Sequence, residues 1–505
     1  MNARSGSLVT GLVFVLTTAA YGQRSTSSNI TPPPGWPTDG GSGVIIVDPG
    51  TDPGREPTDP YPPRDPNPPR DPDPYPPDNG GSSGNRLVDD VRDYIYEFDM
   101  RRTPKPPRVR DSLFRLGQAI FFDKELSGNR NISCSTCHLP DVGAGDGRAM
   151  PLGEGGRGEA LARRGGPTIP RNAPHVYNLH TFEETFWDGR IFTDSRGRIR
   201  TPGGNQITQD MIDVFEFGII SAQAMFPATS PIEMRGTPGE NELANIPDDD
   251  LRGQWRAMMR RFGRIPRYVQ MFEDAYPGER FRDMTFAHAA NAIAGFEIRA
   301  FSFRNSPWDK FLGGNDNAMS RAQLEGALDF FETGCAECHN GVGLSDFDHH
   351  NTGLAQFGPG QGDGRSGRDD FGHERVTGKS RDRYTFRTPP LFNVEITGPW
   401  GHIGQFNDLT NFLDHYVDVE DNLYYYRVRD HVARDESYLW NTQLDNIYDV
   451  LNNLDPLVEQ LNFRGNPSDR VRSIEAFLRS LTDPAARNPS GIEPRSVPSG
   501  LRVGD

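Results

Sequence analysis

The sequence contains little cysteine and no long apolar segment. Its four cysteines, among 505 residues, all fall in two short motifs, so none is spare for a disulfide framework elsewhere. The apolar run from Leu8 to Ala20 is shorter than the ~20 residues that a membrane-spanning helix needs. No later segment is long and apolar enough to span a bilayer. These absences predict a soluble mature chain.

The sequence also lacks an excess of positive charge. Its formal net charge is −16 and its pI is about 5.2. Nucleic-acid binding needs a basic footprint for the phosphates, so this class of function is excluded. Two interpretations of the acidity stay open: it attracts a basic partner protein, or it only keeps the chain soluble.

The first residues have the pattern of an export signal. A positive charge at Arg4 precedes the apolar run, and Ala20-Tyr21-Gly22 has the small-x-small pattern of a cleavage site. We therefore predict a signal peptide at 1–22 and a periplasmic or secreted protein; a membrane anchor is the alternative. No cysteine follows the run, which argues against a lipoprotein.

A biased segment follows, from residue 23 to about 87, and it is rich in Pro, Asp, Gly and Ser. It has no apolar period with which to form a core, so we expect a disordered, polyproline-like spacer. The remaining length is sufficient for two or three domains.

Helical patterns dominate this remaining part. Apolar residues recur at helical spacing over 111–122, 285–303 and 321–331, and Ser320 is a suitable N-cap for the third segment. The only strand signal is a hairpin at 191–199. Two units of a helix followed by cysteines, about 200 residues apart, predict a mostly α fold with two similar domains in tandem.

Two C-x-x-C-H motifs contain all the cysteines: Cys134, Cys137 and His138, then Cys335, Cys338 and His339. This pattern is the attachment signature of haem c, in which two thiols bond to the porphyrin and the histidine ligates iron. A zinc site would not need a histidine directly after each second cysteine. A thioredoxin-like pair would need a βαβ context, and a disulfide across two residues would close a loop of little entropic value. The motifs therefore predict two covalent haem c groups.

Several short stretches around these motifs occur in an order typical of one family. They are Leu116-Gly117-Gln118-Ala119-Ile120-Phe121-Phe122-Asp123, Ile132-Ser133 before Cys134, Arg171-Asn172-Ala173-Pro174, Phe186-Trp187-Asp188-Gly189-Arg190, Ser230-Pro231-Ile232-Glu233-Met234, Pro389-Pro390-Leu391-Phe392-Asn393-Val394, and Gly398-Pro399-Trp400-Gly401-His402. With them, the chain from about 111 to about 420 resembles the bacterial di-haem cytochrome c peroxidase family, which includes the MauG type.

The resemblance implies two cytochrome-c-like domains whose haems face a shared interface. We expect a peroxidatic N-terminal haem domain at 88–305, an electron-transfer haem domain at 306–485 and a tail at 486–505. It also implies an oxidoreductase that reacts with hydrogen peroxide at the N-terminal haem. Oxidising equivalents then pass through the C-terminal haem to an external donor, which is a cytochrome c, another redox protein or a protein substrate.

The family's peroxide pocket matches three residues of this chain. Glu233 stands where the family has its acid–base carboxylate, and Gln223, ten residues earlier, matches a pocket glutamine. Pro227 matches a family proline. An insertion between Arg190 and Gln223 departs from the family pattern and puts the pocket geometry in doubt. A loop-capping role for Glu233 is the alternative.

Typical members block the N-terminal iron with a distal histidine in the loop after the first motif. Here Leu139 to Pro174 contains no histidine, so we predict an open or water-bound iron, as in the MauG type. His175 and His180 lie beyond this loop and are the alternative ligands.

The sixth ligand of the second haem departs from the methionine of ordinary members. No methionine follows Met319, so the second domain has none to offer. Tyr416, seventeen residues after Pro399, aligns with the position where the MauG type has tyrosine, and a tyrosinate favours oxidised iron. Its neighbour His415 is the alternative ligand.

Two further roles follow from the resemblance. Trp187 matches the tryptophan that relays electrons between the haems, although a packed aromatic is the alternative. Asn172, Thr397 and Pro399 match the family's calcium site, with a side-chain oxygen from Asn172 and carbonyls from the other two.

Three functions stay open at this point. The leading hypothesis is a MauG-like peroxidase, because both the methionine and the distal histidine of ordinary members are missing. The alternatives are an ordinary cytochrome c peroxidase that takes electrons from a small cytochrome c, and a di-haem electron carrier without peroxide turnover.

Overall fold

In a computed structural model of the chain, the structure describes residues 86–504. The signal peptide at 1–22 and the spacer up to residue 85 lie outside the described residues, and Arg86 and Leu87 already belong to the first helix. The described part is mostly helical, which confirms the predicted class. Its α-helices are α1 Arg86–Glu97, α2 Asp111–Phe122, α3 Cys134–Cys137, α4 Gln209–Ile212, α5 Ile219–Gln223, α6 Leu251–Phe262, α7 Pro266–Ala275, α8 Phe286–Ala300, α9 Pro307–Leu312, α10 Arg321–Thr333, α11 Glu374–Thr377, α12 Leu409–His415, α13 Val419–Tyr425, α14 Val428–His431, α15 Ile447–Leu451, α16 Pro456–Glu459 and α17 Pro467–Arg479.

The three helices expected from periodicity are α2, α8 and α10, and each is confirmed within a few residues. Ser320 caps α10, because its side chain accepts a hydrogen bond from the backbone N–H of Gln323. Gly334, at φ +98°, ends α10 in the left-handed region that favours glycine.

Two helix pairs are in close contact, one in each half of the chain. A β-carbon on Gly117 of α2 would lie 1.9 Å from the Ala292 carbonyl oxygen of α8. Likewise, a β-carbon on Gly326 of α10 would lie 2.0 Å from the Ser473 carbonyl oxygen of α17. Only glycine permits such close backbone contact, so the two halves share this packing device.

The strands are short. They are β1 Glu184–Thr185, β2 Ile191–Thr193, β3 Ile199–Arg200, β4 His349–His350 and β5 Phe386–Arg387. The expected hairpin is confirmed: β2 and β3 are antiparallel, with Thr193 opposite Ile199. In addition, β1 pairs with β2, and β4 pairs with β5 across a long sequence separation.

The apolar core forms separate clusters, and the chain crosses between them at both ends. The first cluster contains α2 and α8, and the second contains α10 and α17. However, α1 packs in the second cluster, and Ile492 and Val497 near the C-terminus pack in the first. Each half is thus covered partly by the opposite end of the chain. None of the helices within 86–504 meets the length and apolarity that a membrane span requires.

Candidate active site

The first C-x-x-C-H motif forms a single capped turn. Ser133 and Thr136 make a reciprocal capping box around α3, which carries both cysteines. The ring nitrogen Nδ1 of His138 lies 3.1 Å from the carbonyl oxygen of Ala144. Ala144 has φ +57°, so a left-handed turn directs this carbonyl at the ring. The contact engages Nδ1 and leaves Nε2 available to a metal.

The second motif repeats this arrangement. Cys335 and Cys338 flank a 3-10 turn, and Nδ1 of His339 lies 2.9 Å from the Leu344 carbonyl oxygen. Leu344 has φ +56°, as Ala144 has in the first motif. The two histidines are therefore oriented in the same way.

The residues of both motifs fit haem c. All four thiols are free. Burial lowers the pKa of His138 and of His339, which favours the neutral imidazole that ligates iron. The first motif also opens on a largely apolar cavity, as a porphyrin requires. Thiols, imidazole and cavity thus offer the donor set of a haem c site.

One cavity gathers most of the predicted N-terminal site. Its lining includes Cys134, Cys137, His138, Asn172, Trp187, Arg190, Gln223, Pro227, Glu233 and Glu297. We call it the haem cavity. Trp187 and Gln223, which lie on either side of the insertion between Arg190 and Gln223, both line this cavity.

Glu233 lies in a π-helical turn, Pro231–Arg235, whose N-cap Ser230 accepts a hydrogen bond from the Glu233 backbone N–H. Single π turns are frequent at functional sites. Burial raises the pKa of Glu233 to about 7, although the nearby charge of Arg190 opposes the shift. The carboxyl group is therefore able to hold or release a proton at neutral pH.

The two candidate blocking histidines are bound to backbone groups. His175 lines the haem cavity, but Nε2 lies 3.1 Å from the Pro390 carbonyl oxygen and Nδ1 accepts from the Tyr177 N–H at 3.2 Å. His180 lies outside the haem cavity lining, with Nε2 3.1 Å from the Pro104 carbonyl oxygen. These contacts use nitrogens that iron would need.

Tyr416 and His415 share Thr352 as a neighbour, but only Tyr416 has its pKa affected by the cysteines of the second motif. Tyr416 directly follows α12, and burial raises the pKa of its hydroxyl, with nearby Cys338 and Cys335 adding to the shift. Its side chain is therefore close to the second motif. In contrast, Nε2 of buried His415 lies 2.9 Å from the Thr352 carbonyl oxygen.

Trp187 and Asn172 are joined by a hydrogen bond. The indole N–H of buried Trp187 donates to the Asn172 carbonyl oxygen at 2.9 Å. The Asn172 backbone N–H donates to the His402 carbonyl oxygen at 2.9 Å, which places Asn172 beside the loop that contains Thr397 and Pro399. The Asn172 side-chain nitrogen donates to the Arg148 carbonyl oxygen at 2.8 Å, which leaves its oxygen for another partner.

Comparison with known proteins identifies the family. A family model described as di-haem cytochrome c peroxidase matches residues 111–317. Cytochrome c551 peroxidase of Pseudomonas aeruginosa is 31% identical over 294 residues, which cover 58% of this chain and 68% of that protein. The chain belongs to the di-haem cytochrome c peroxidase family. It is therefore a peroxidase-type oxidoreductase with two haem c cofactors.

One further curated protein and one solved structure are similar to this chain. Methylamine utilization protein MauG of Methylorubrum extorquens is 29% identical over 315 residues, which cover 62% of this chain and 71% of that protein. A solved structure of a MauG-like protein associated with microbial copper homeostasis superposes with a TM-score of 0.53 at 23% identity. It covers 77% of this chain and 96% of that one, and it shows the shared fold.

Sequence reasoning missed a second carboxyl group in the haem cavity of this di-haem peroxidase. Glu297 is buried on α8 and lines the cavity, and one of its carboxyl oxygens has no hydrogen-bond partner among the described residues. Burial raises its pKa to about 8. The signal was present in the sequence, since Glu297 interrupts the apolar Ala- and Phe-rich pattern of this helix.

A buried ion-pair cluster positions the loop that contains Trp187. The Arg171 guanidinium donates to both carboxyl oxygens of Asp370, at 2.6 and 2.8 Å, and to Asp188 at 2.7 Å. Burial alone would raise the pKa of Asp188, but Arg171 and Arg190 outweigh burial and lower it. Asp370 is 199 residues from Arg171 in the sequence, so the cluster ties the loop that contains Trp187 to the part of this di-haem peroxidase that follows the second motif.

Proposed function

We propose that this di-haem peroxidase is of the MauG type: peroxide reacts in the haem cavity and the oxidising equivalents leave through the second haem site to an external donor. The observation on which this rests is the half-buried Glu233, which shares one cavity with Gln223 and His138 while the nearby histidine, His175, is bound to backbone. Such a cavity has room for peroxide and a proton-transfer group beside it.

Haem c, which Cys134, Cys137 and His138 would hold, would supply the iron and the electrons for the reduction of peroxide. The protein contributes proton transfer. Glu233 takes the proton from one peroxide oxygen and returns it to the other as water leaves. Gln223 orients the peroxide by hydrogen bonding. In sum, two electrons and two protons convert one hydrogen peroxide into two waters.

Trp187 is assigned as the electron relay between the two haem sites. Support comes from its fixed position: its indole N–H is hydrogen-bonded to Asn172, and its carbonyl oxygen accepts from the backbone N–H of Arg387 at 2.9 Å. Since Arg387 belongs to the part of the chain after the second motif, the indole is held between the two halves.

The proposal also covers a calcium site, the domain bounds, export and the electron donor. Asn172, Thr397 and Pro399 hold a calcium ion, for which the Asn172 side-chain oxygen remains available. In sequence, the haem domains are 88–305 and 306–485 in tandem with 486–505 as a tail, although α1 packs in the second apolar cluster and Ile492 in the first. The chain is exported by its signal peptide to the periplasm or beyond. The donor is a cytochrome c, another reductant or a protein substrate.

Tyr416 is assigned as the sixth ligand of the second haem, and its replacement by methionine tests this. Because tyrosinate favours oxidised iron and methionine raises the potential, Tyr416→Met should shift one of the two haem potentials upward. Spectroelectrochemical titration of the holoprotein measures this shift. His415→Gln, which keeps a donor for Thr352, is the matched control and should leave both potentials unchanged. A shift of one potential with His415→Gln and none with Tyr416→Met would assign His415 as the sixth ligand instead.

Spectra of the resting ferric protein test the proposed function. We expect absorption and EPR spectra of one high-spin and one low-spin haem. One equivalent of peroxide, added without reductant, should be consumed and should leave a persistent change in the absorption spectrum. Two low-spin haems that ignore peroxide until half-reduced would indicate an ordinary cytochrome c peroxidase. Absence of reaction in either redox state would leave an electron carrier and contradict the proposal.

A further inference from the structure

Three arginines line the haem cavity, and they differ in how their charge is compensated. They are Arg171, Arg190 and Arg387. Arg171 is paired with Asp188 at 2.7 Å and with Asp370 at 2.6 Å. Burial acts to lower the pKa of Arg171, but these two carboxylates outweigh burial and raise it. Arg171 therefore needs no further anion.

Arg387 has no such partner. Its side chain is buried, with the residue only 3% exposed, yet no carboxylate within residues 86–504 forms an ion pair with it. Nε donates to the Phe186 carbonyl oxygen and Nη1 to the Thr388 carbonyl oxygen, each at 3.2 Å. Nη2 is left without a hydrogen-bond partner in the described part of the chain. A buried cation with an unused donor is costly, so this edge of Arg387 needs an acceptor.

The other surroundings of Arg387 compensate its charge only in part. Its Cζ lies 5.2 Å from the ring centroid of Phe182 and 5.7 Å from that of Phe347, and aromatic faces attract cations. The carboxylates of Glu184 and Asp188 attract it from beyond ion-pair distance. Burial outweighs these attractions and lowers the pKa of Arg387 to about 10.

The two carboxylates that attract Arg387 are engaged with other groups. Oε1 of Glu184 lies 2.9 Å from Nε2 of His349, and Asp188 accepts from the Arg171 guanidinium at 2.7 Å. Both are held in place by these contacts, so neither supplies the acceptor that Nη2 of Arg387 lacks.

Arg190 is a second cation of the lining that is only partly compensated. It lies 3.4 Å from Asp188, which Arg171 already holds at the shorter distance of 2.7 Å. Burial lowers the pKa of Arg190. Its guanidinium lies 4.1 Å from the ring centroid of Phe186, whose carbonyl oxygen accepts from Arg387. The two arginines therefore flank one residue and make this wall of the haem cavity positive.

The acidic residues of the lining do not neutralise this wall. They are Glu233 and Glu297, and neither forms an ion pair within residues 86–504. Burial raises the pKa of Glu233 to about 7 and that of Glu297 to about 8, so both are largely or partly protonated at neutral pH. The positive wall is thus suited to an anion that is not part of the chain.

The cofactor of the family carries such anions. Haem c has two propionate groups, and a free carboxyl group is ionised at neutral pH. The planar guanidinium of arginine matches a carboxylate in shape and binds it through charge-assisted hydrogen bonds. Cys134, Cys137 and His138 line the same cavity, so the haem that they hold would bring its propionates into it.

We infer that Arg387 binds a propionate of the haem attached to Cys134 and Cys137, with Nη2 as a donor. Arg387 follows the second motif in the sequence, and its backbone N–H donates to the Trp187 carbonyl oxygen at 2.9 Å. The N-terminal haem is thus held by both halves of the chain, with a propionate beside the loop that contains Trp187. This contact goes beyond the proposed function, and it applies to either type of di-haem peroxidase.

Replacing Arg387 by methionine in the holoprotein tests this contact. Methionine keeps much of the volume of the side chain but removes its donors and its charge. The propionate bending band in the resonance Raman spectrum should shift to lower frequency, because the propionate loses a hydrogen bond. One haem potential should also fall in a spectroelectrochemical titration at about pH 8, where a free carboxyl group stays ionised. A nearby positive charge favours ferrous over ferric iron, and the variant lacks it.

Two further variants separate charge from general disturbance. Arg387→Lys keeps the charge and should retain most of the wild-type potential. Arg383→Met is the matched control: it removes a guanidinium that is bonded to Glu374 and lies outside the cavity lining, and it should change neither the band nor the potentials. An unchanged propionate band in Arg387→Met overturns the inference. If that variant instead loses the binding of added formate, Arg387 serves a free anion and not the propionate.

A crystal structure of the wild-type holoprotein tests the same contact without any variant. We expect Nη2 of Arg387 within hydrogen-bond distance of a propionate oxygen of the haem attached to Cys134 and Cys137. A contact with the second haem alone, or with neither haem, overturns the inference. None of these measurements uses peroxide, so a protein that consumes no peroxide would contradict the proposed function and leave this contact standing.

Discussion

Replacing Glu233 by glutamine should slow the reaction with peroxide about 10²–10⁴-fold at neutral pH, the usual range for loss of a general acid–base group. Glutamine keeps the size and polarity of the side chain but is unable to take up or release a proton. Stopped-flow mixing of the ferric holoprotein with peroxide, followed at the Soret band, measures this rate. Haem content and the resting spectrum should remain those of the wild type.

The pH dependence gives the same prediction a second readout. Glu233 must be ionised to accept a proton from peroxide, and burial raises its pKa to about 7. The wild-type rate should therefore rise with pH up to about 7 and level off above it. The remaining rate of Glu233→Gln should show no such step, because its side chain does not titrate.

Glu297→Gln is the matched control, since Glu297 is another carboxyl in the lining of the same cavity. Burial raises its pKa to about 8, so it is mostly protonated at neutral pH and should act poorly as a base. We expect a small effect on the rate for this variant. If Glu297→Gln removed the step in the pH profile and Glu233→Gln did not, the proton-transfer role would belong to Glu297.

The helices were predictable because their signal is local. In α2 and α10, apolar residues recur at helical spacing, and Ser320 has the side chain that an N-cap needs. By contrast, β4 and β5 are two residues long and pair His349 with Arg387, so neither has enough residues to show an alternating pattern. Their pairing depends on tertiary contacts.

The functional residues also differ in whether a local sequence pattern could predict them. The haem motifs are contiguous, and their spacing alone predicted the cofactor. Glu233 was found through the resemblance, because a lone glutamate in a loop has no distinctive signal. Glu297 was missed because a single glutamate in an apolar helical pattern does not show by itself that it faces a cavity.

Replacing Arg171 by methionine should lower the free energy of unfolding by about 3–5 kcal/mol, as expected when one partner of a buried ion pair is removed. Methionine fills a similar volume but leaves Asp370 without its guanidinium partner and Asp188 with Arg190 alone, and both carboxylates are 2% exposed. Equilibrium urea unfolding of the holoprotein, followed by far-UV circular dichroism at pH 7, measures the loss. The loop with Trp187 should lose its fixed position as well.

The effect of Arg171→Met on the free energy of unfolding depends on pH in a defined direction. In the wild type the pKa of Asp188 and of Asp370 lies below the usual value, so their contribution to stability is present above ~4 and is lost as pH falls through their folded-state pKa. In the variant, burial is less opposed and the pKa of both carboxyl groups rises, less for Asp188 because Arg190 remains 3.4 Å from it. The folded state of the variant therefore gains stability as pH falls. The stability difference between the two proteins should therefore be largest at neutral pH and shrink towards pH 4.

The triple variant Arg171→Met/Asp188→Asn/Asp370→Asn separates charge from packing. It removes all three charges, and the asparagine oxygens remain able to accept the backbone N–H groups of Arg190 and Gly372 that the aspartates accept now. Because the main cost in the single variant is two uncompensated carboxylates, the triple variant should recover most of the lost stability. If it were as unstable as Arg171→Met, the loss would arise from packing around the guanidinium, and the ion pairs would not be what holds Trp187 in place.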